Sequence, residues 1–166
     1  MNYSITYDLT GGALPAGQSN PTTYNVETAT FTLINPTRDG YTFVGWTGSN
    51  GSTPQTTVTI PTGSTGNLSY TANWTPITYS ITYDLAGGAL PAGQSNPTTY
   101  NIETGTFTLI NPVRDGYRFD GWTGSNGTTP QDTVTIPTGS TGDLNYTANW
   151  TKRYTFDSAS PPVNMP

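Results

Sequence analysis

A near-identical internal repeat constrains the fold of this 166-residue chain more than any other feature. Residues 3–75 return as residues 79–151 at a constant offset of 76 positions, and 63 of the 73 aligned pairs are identical. A fixed period without insertions indicates that each copy is one structural module. We therefore expect two tandem modules, 3–75 and 79–151, joined by a short stiff linker at 76–78 and followed by a linker or tail at 152–166.

The residue pattern within each copy predicts short β-strands and little or no helix. Apolar side chains alternate with polar ones in residues 3–9 and 68–74, which is the pattern of half-buried strands. The first copy has further extended segments at residues 24–34, 41–46 and 57–60, and loops rich in Gly, Pro and Asn at residues 14–21, 35–40 and 47–54. The prediction is a mostly β module with four or five short strands.

Charge and composition exclude several classes of partner. The chain has five basic residues against ten acidic ones, and it contains no cysteine and no histidine. It lacks the basic patch that would release counterions from nucleic acid, and no apolar run approaches the roughly 20 residues that span a bilayer. We expect a soluble protein that binds no nucleic acid and inserts into no membrane. Since Met1 leads straight into the first copy, we also expect a segment of a longer chain whose export signal and anchor lie outside it.

Three motifs occur in both copies. They are ITYDLTGG, PTRDGYTFVGW and YTANW in the first copy, and ITYDLAGG, PVRDGYRFDGW and YTANW in the second. Together they resemble the Listeria–Bacteroides repeat family, to which the B-repeat of the internalins belongs. The resemblance implies a small β-grasp-like module, arranged in tandem within large bacterial surface or secreted proteins as stalks or accessory segments of adhesins. The long stretch PAGQSNPTTYNVETATFTL implies that the β-grasp helix is shortened or absent, and a small β-sandwich is the alternative fold.

The tryptophan of the GW dipeptide is the most interesting candidate for binding. Strict alternation places Trp46 on the same strand face as Thr42 and Val44, where the second copy carries Arg118 and Asp120. Since that face accepts charge, it is expected to be solvated, and an exposed indole there could stack on a sugar or a protein partner.

A structural alternative competes with that hypothesis. A β-bulge at Gly45 would turn Trp46 into the core, and the small supply of apolar residues favours this interpretation. The candidate ligand-binding residues are accordingly Tyr41 and Trp46 with their copies Tyr117 and Trp122.

Carboxylates common to both copies offer little chemistry. They are Asp8, Glu27 and Asp39, repeated as Asp84, Glu103 and Asp115. Two carboxylates across a cleft could hydrolyse a glycoside, but neither copy holds a His, Cys or Lys to complete a nucleophile and base pair. No calcium-binding loop motif is present either. We expect no catalysis, no metal and no cofactor.

The functional expectation is a non-catalytic tandem-repeat segment of a bacterial cell-surface or secreted protein. It would act outside the cell as a semi-rigid stalk or spacer, as a monomer that contacts neighbouring repeats of its own chain. The alternative is a multivalent adhesive module, in which each copy binds host glycan or surface protein weakly through exposed aromatic residues and duplication raises the avidity.

Overall fold

The structure, a computed structural model, describes residues 1–154. These residues form two compact units, the first made of Met1–Thr78 with Asn101–Glu103 and the second of Tyr79–Tyr100 with the residues from Thr104 onward. The predicted tail is described only as far as Tyr154, and its remainder, 155–166, lies outside the described residues. Within the described part of the chain there is no helix long and apolar enough to cross a membrane.

Each repeat contains seven strands, more than the four or five expected. In the first repeat they are β1 (Tyr3–Asp8), β2 (Thr23–Tyr24), β3 (Phe31–Thr32), β4 (Tyr41–Gly48), β5 (Gly51–Gln55), β6 (Thr59–Ile60) and β7 (Leu68–Pro76). In the second they are β8 (Tyr79–Asp84), β9 (Thr99–Tyr100), β10 (Phe107–Thr108), β11 (Tyr117–Gly124), β12 (Gly127–Gln131), β13 (Thr135–Ile136) and β14 (Leu144–Lys152). Residues 1–154 include no helix, as the alternating pattern predicted.

Two sequence predictions about strands were wrong. Residues 47–54 were expected to form a loop, but they contain most of β5, which pairs antiparallel with β4. Residues 24–34 were expected to be one extended stretch, but β2 and β3 are separated by a turn. The Asn25 side chain closes that turn by accepting a hydrogen bond from the Glu27 amide at 2.8 Å. An asparagine side chain that bonds to the nearby backbone in this way favours a turn over an extended strand.

The larger sheet of each repeat has its first and last strands at the centre. The strand order is β2-β1-β7-β4-β5 in the first repeat and β9-β8-β14-β11-β12 in the second. The central pair β1–β7 is parallel, with Ile5 opposite Leu68, whereas β4 pairs antiparallel with β7.

A second, two-stranded sheet covers one face of the first. It pairs β3 with β6 in one repeat and β10 with β13 in the other. The resulting two layers, with no helix among residues 1–154, give the sandwich-like form that was the alternative prediction.

Each repeat encloses its own hydrophobic core between these two sheets. The buried apolar side chains of the first repeat are Ile5, Tyr24, Leu33, Trp46, Val58, Ile60, Tyr70 and Ala72. Their copies, from Ile81 to Ala148, form the second core with the same membership. Because apolar residues alternate along β1 and β7, both strands present one apolar face to the core and one polar face to solvent.

Candidate functional site

A β-bulge places the tryptophan of the GW dipeptide in the core. Along β4, Phe43 pairs with Trp74 and Gly45 pairs with Asn73, so Val44 is an extra residue that shifts the alternation by one position. Gly45 adopts φ +138°, a backbone conformation that residues other than glycine rarely adopt. As a result Trp46 is 0 % exposed.

The second repeat has the same bulge at Gly121, and Trp122 is likewise 0 % exposed. This corrects the expectation from strict alternation that Trp46 and Trp122 share the solvated face of their strands. Neither indole offers a surface to a ligand.

The buried indole is the centre of an aromatic cluster. The Trp46 ring packs against the rings of Phe43, Tyr7 and Tyr70, with centroid separations of 5.4, 6.0 and 6.4 Å. Its Nε1 donates a hydrogen bond of 2.9 Å to Oδ1 of Asn35. Edge-to-face pairs of this kind add about 0.5–1.5 kcal/mol each beyond the area they bury. The role of Trp46 is therefore to hold the module together.

The other two candidate residues, Tyr41 and Tyr117, are half-buried and each lies beneath an arginine. The Arg38 guanidinium carbon sits 3.8 Å from the centroid of the Tyr41 ring, and Arg114 sits 3.7 Å from that of Tyr117. The arginine was not singled out by sequence reasoning. A signal for it exists in the RDGY turn, since the Tyr41 amide donates to the Arg38 carbonyl at 3.1 Å and so brings the two side chains together.

The carboxylates shared by the repeats are not gathered into a site. Asp8 accepts a hydrogen bond from the Thr10 amide at 3.0 Å, and Asp84 accepts one from Ala86 at 2.9 Å, so both close the turn after the first strand of their repeat. Asp39 is exposed in its own turn. Among residues 1–154 no group of three or more acidic, His or Cys side chains could hold a metal ion.

One carboxylate outside that shared set has an ionic partner. Asp120, found only in the second repeat, lies 3.0 Å from the Arg118 guanidinium. A hydrogen bond from the Thr151 hydroxyl, helped by Arg118, lowers the pKa of the Asp120 carboxyl. Arg118 and Asp120 lie on β11 and Thr151 on the neighbouring β14, and Arg118 is exposed to solvent, as expected for this face of the strand.

The second repeat also has a cavity that the sequence did not reveal. It has a volume of about 350 Å³, and its walls come from the turn before β11, from β11 itself and from the end of β14. The lining residues are 112–117, Phe119, Trp150 and Arg153. Among the four residues first selected, only Tyr117 lies in this cavity.

Comparison with known proteins gives one match. The family model of the Listeria-Bacteroides repeat domain matches the chain twice, over residues 3–72 and over residues 79–149. No curated protein and no solved structure matches the chain. The matched repeats are typical of bacterial surface proteins and are in general structural and non-catalytic.

Proposed function

This chain belongs to the Listeria-Bacteroides repeat family, and we propose that it is a semi-rigid spacer within a bacterial surface protein. The observation that carries the proposal is that each repeat has its own separate hydrophobic core. The two hydrophobic cores are built from equivalent positions and share no residue, so each repeat has a core of its own. Repetition of such a unit adds length to a protein without adding new chemistry.

The connection between the repeats supports a spacer more than a flexible tether. Strand β7 ends at Pro76 and β8 begins at Tyr79, which leaves two residues, Ile77 and Thr78, between them. A connection of two residues has few accessible conformations compared with a Gly/Ser-rich linker. Pro76 also fixes its own φ and favours an extended conformation at Thr75.

We place this segment outside the cell, as a monomer and without catalytic activity. Family membership supports the location, because these repeats are typical of bacterial surface proteins. The exposed large apolar side chains of the described residues support a monomer because they are few, namely Met1, Val26, Val44, Ile77, Val113 and Tyr154.

Multivalent adhesion is the second candidate function. Burial of the two indoles leaves Tyr41 and Tyr117 as the candidate ligand-binding residues, both partly exposed beneath their arginines. The observation in favour of adhesion is the cavity beside Tyr117.

A distance measurement between the repeats tests the spacer. The chain has no cysteine, so Thr65→Cys and Thr141→Cys would place one spin label at the same exposed position of each repeat. A spacer predicts a narrow distribution of label–label distances by pulsed electron spin resonance. Replacement of Ile77-Thr78 by a Gly/Ser linker of about eight residues provides the control and should broaden the distribution. A native distribution as broad as that of the control would contradict the spacer.

A further inference from the structure

The cavity of the second repeat combines two cations with an aromatic floor. We propose that it binds an acidic sugar, with the carboxylate on Arg114 and Arg153 and the sugar ring against Phe119 and Trp150. This inference is independent of the spacer function. The volume of about 350 Å³ lies in the range of small-molecule sites and is large enough for one monosaccharide unit.

Neither arginine of the cavity has an ionic partner among the described residues 1–154. The Arg118–Asp120 pair is the ion pair found among residues 1–154, and neither Arg114 nor Arg153 takes part in it. A guanidinium presents a planar fork that matches a carboxylate in two parallel hydrogen bonds. The chain as a whole carries a net charge of −5, so two cations in one cavity with no ionic partner among residues 1–154 favour a negative ligand.

The Arg114 guanidinium is held in place before any ligand arrives. It lies 3.7 Å from the centroid of the Tyr117 ring on one side. On another side it approaches Gly87 so closely that a Cβ there would come within 2.9 Å of its Nε. A side chain fixed in this way loses little conformational entropy on binding.

The cavity walls are fixed by backbone hydrogen bonds. Val113 and Ala89 exchange two bonds of 2.8 Å between their amides and carbonyls, and the Arg153 amide donates to the Gly116 carbonyl at 2.8 Å. Trp150 is tied down as well, because its Nε1 donates to the Leu85 carbonyl at 3.0 Å. The arrangement of cation and aromatic floor therefore exists in the free protein.

The third charged group of the cavity, the Asp115 carboxylate, is suited to the hydroxyl groups of a sugar. Asp115 is an exposed carboxylate in the cavity wall. A carboxylate accepts hydrogen bonds from hydroxyl groups, which an acidic sugar carries on its ring beside the anionic substituent. A simple inorganic anion would gain nothing from Asp115 or from the aromatic floor, so an acidic sugar fits the whole set of groups better.

The first repeat differs from the second at the position of this cavity, where Ile102 lies against Gly40. Two residues of the cavity differ between the copies: Val113 replaces Thr37, and Arg153 occupies the position of Ile77. The first repeat therefore has one arginine, Arg38, where the second has two. The proposal predicts that the second repeat binds the acidic sugar and the first does not.

Titration of the isotope-labelled full chain with a galacturonic acid trisaccharide tests the proposal by nuclear magnetic resonance. We expect amide shifts confined to residues 113–119 and 150–153, and weaker binding as salt rises from about 50 mM to about 500 mM. The Val113→Thr/Arg153→Ile variant, which carries the residues of the first repeat, should bind roughly tenfold more weakly. Arg114→Gln should cause a similar loss, whereas Arg118→Gln outside the cavity should bind as the native chain does.

Several results would overturn the proposal. Equal affinity for the fully methyl-esterified trisaccharide would show that the carboxylate is not recognised. Equal shifts in residues 37–43 of the first repeat would show that binding does not require the cavity of the second repeat. An equal loss in Arg118→Gln would indicate a general charge effect, and the absence of any shift would show that the cavity does not bind acidic sugars.

Discussion

The side-chain amide of Asn35 joins the turn before β4 to the core, because its Oδ1 accepts a hydrogen bond of 2.9 Å from Nε1 of Trp46. Its Nδ2 donates a second bond, of 2.7 Å, to the carbonyl of Thr56. One asparagine thus satisfies the only polar atom of a fully buried indole and ties the segment after β5 to the turn. The pair Asn111 and Trp122 repeats this relationship at 3.0 Å.

Asn35→Ala should reduce the free energy of unfolding of the first repeat by about 1–3 kcal/mol, because it leaves a buried N–H without an acceptor. Urea denaturation followed by tryptophan fluorescence measures this change. Asn2→Ala, at an exposed residue before β1, is the control and should have little effect. A loss below about 0.5 kcal/mol, the usual range of surface substitutions, would contradict the role assigned to Asn35.

Gly45→Ala should prevent the first repeat from folding. A Cβ at this position would lie 2.5 Å from the backbone nitrogen of Gln55, in addition to the strain of φ +138°. Neither β4 nor β5 can move away without breaking the pairing of Trp46 with Gln55. Circular dichroism during denaturation should show the loss of one of the two repeats, while the second repeat remains as an internal reference.

Gly51→Ala separates the clash from the backbone strain. Gly51 also has positive φ, at +112°, but a Cβ there would meet nothing within 4 Å. We expect only the conformational cost of about 1–3 kcal/mol. If Gly45→Ala were no more destabilising than Gly51→Ala, close approach of β5 would not be the reason for glycine at the bulge.

Alkaline pH should destabilise both repeats through Tyr7 and Tyr83. Burial, reinforced by the neighbouring tyrosine, raises the pKa of each phenol from 10.0 to about 12. The unfolded chain loses these protons near pH 10 whereas the folded chain keeps them. The free energy of unfolding is therefore unaffected below pH 10 and falls as the pH rises from 10 towards 12.

Urea denaturation at a series of pH values measures this slope. Tyr7→Phe loses the hydrogen bond of 2.6 Å from its hydroxyl to the Pro21 carbonyl, so its stability at neutral pH should be lower. Its slope above pH 10 should be shallower, because one shifted proton is removed. Equal slopes in Tyr7→Phe and the native chain would count against the assignment.

The sequence predicted the fold class well and the strand count poorly, for a physical reason. Alternation in residues 3–9 and 68–74 arises because burial selects apolar residues on one face, so β1 and β7 were found. Strand β5 has no apolar residue and all five of its side chains are exposed. Its hydrogen bonds to β4 alone make it a strand, and backbone pairing leaves no trace in side-chain hydrophobicity.

The candidate site was only partly predictable. From the sequence, Trp46 could lie on the solvated face by strict alternation or in the core through a bulge at Gly45. Only the pairing of β4 with β7 decides between these two positions. The cavity is lined by a turn and β11 at residues 112–119 and by the end of β14 at residues 150–153. These two segments are more than thirty residues apart in the sequence. No local pattern shows that Arg114 and Arg153 share one cavity, because their proximity depends on the sheet order.

Pro54 and Pro130 should protect the two repeats from association through their edge strands. Strand β5 ends the larger sheet, is fully exposed and leaves one side of its backbone unpaired, as does β12. Proline has no N–H to donate, and such residues are common on edges because they discourage pairing with another molecule.

The Pro54→Thr/Pro130→Thr variant adds a donor and a β-favouring side chain to each edge. We expect it to form dimers and larger aggregates, measured by light scattering over a range of protein concentrations. Pro61→Thr/Pro137→Thr, which makes the same replacement just after β6 and β13, is the matched control and should stay monomeric. If the edge variant also stayed monomeric, or if both variants aggregated alike, the prolines would not be the element that protects these edges.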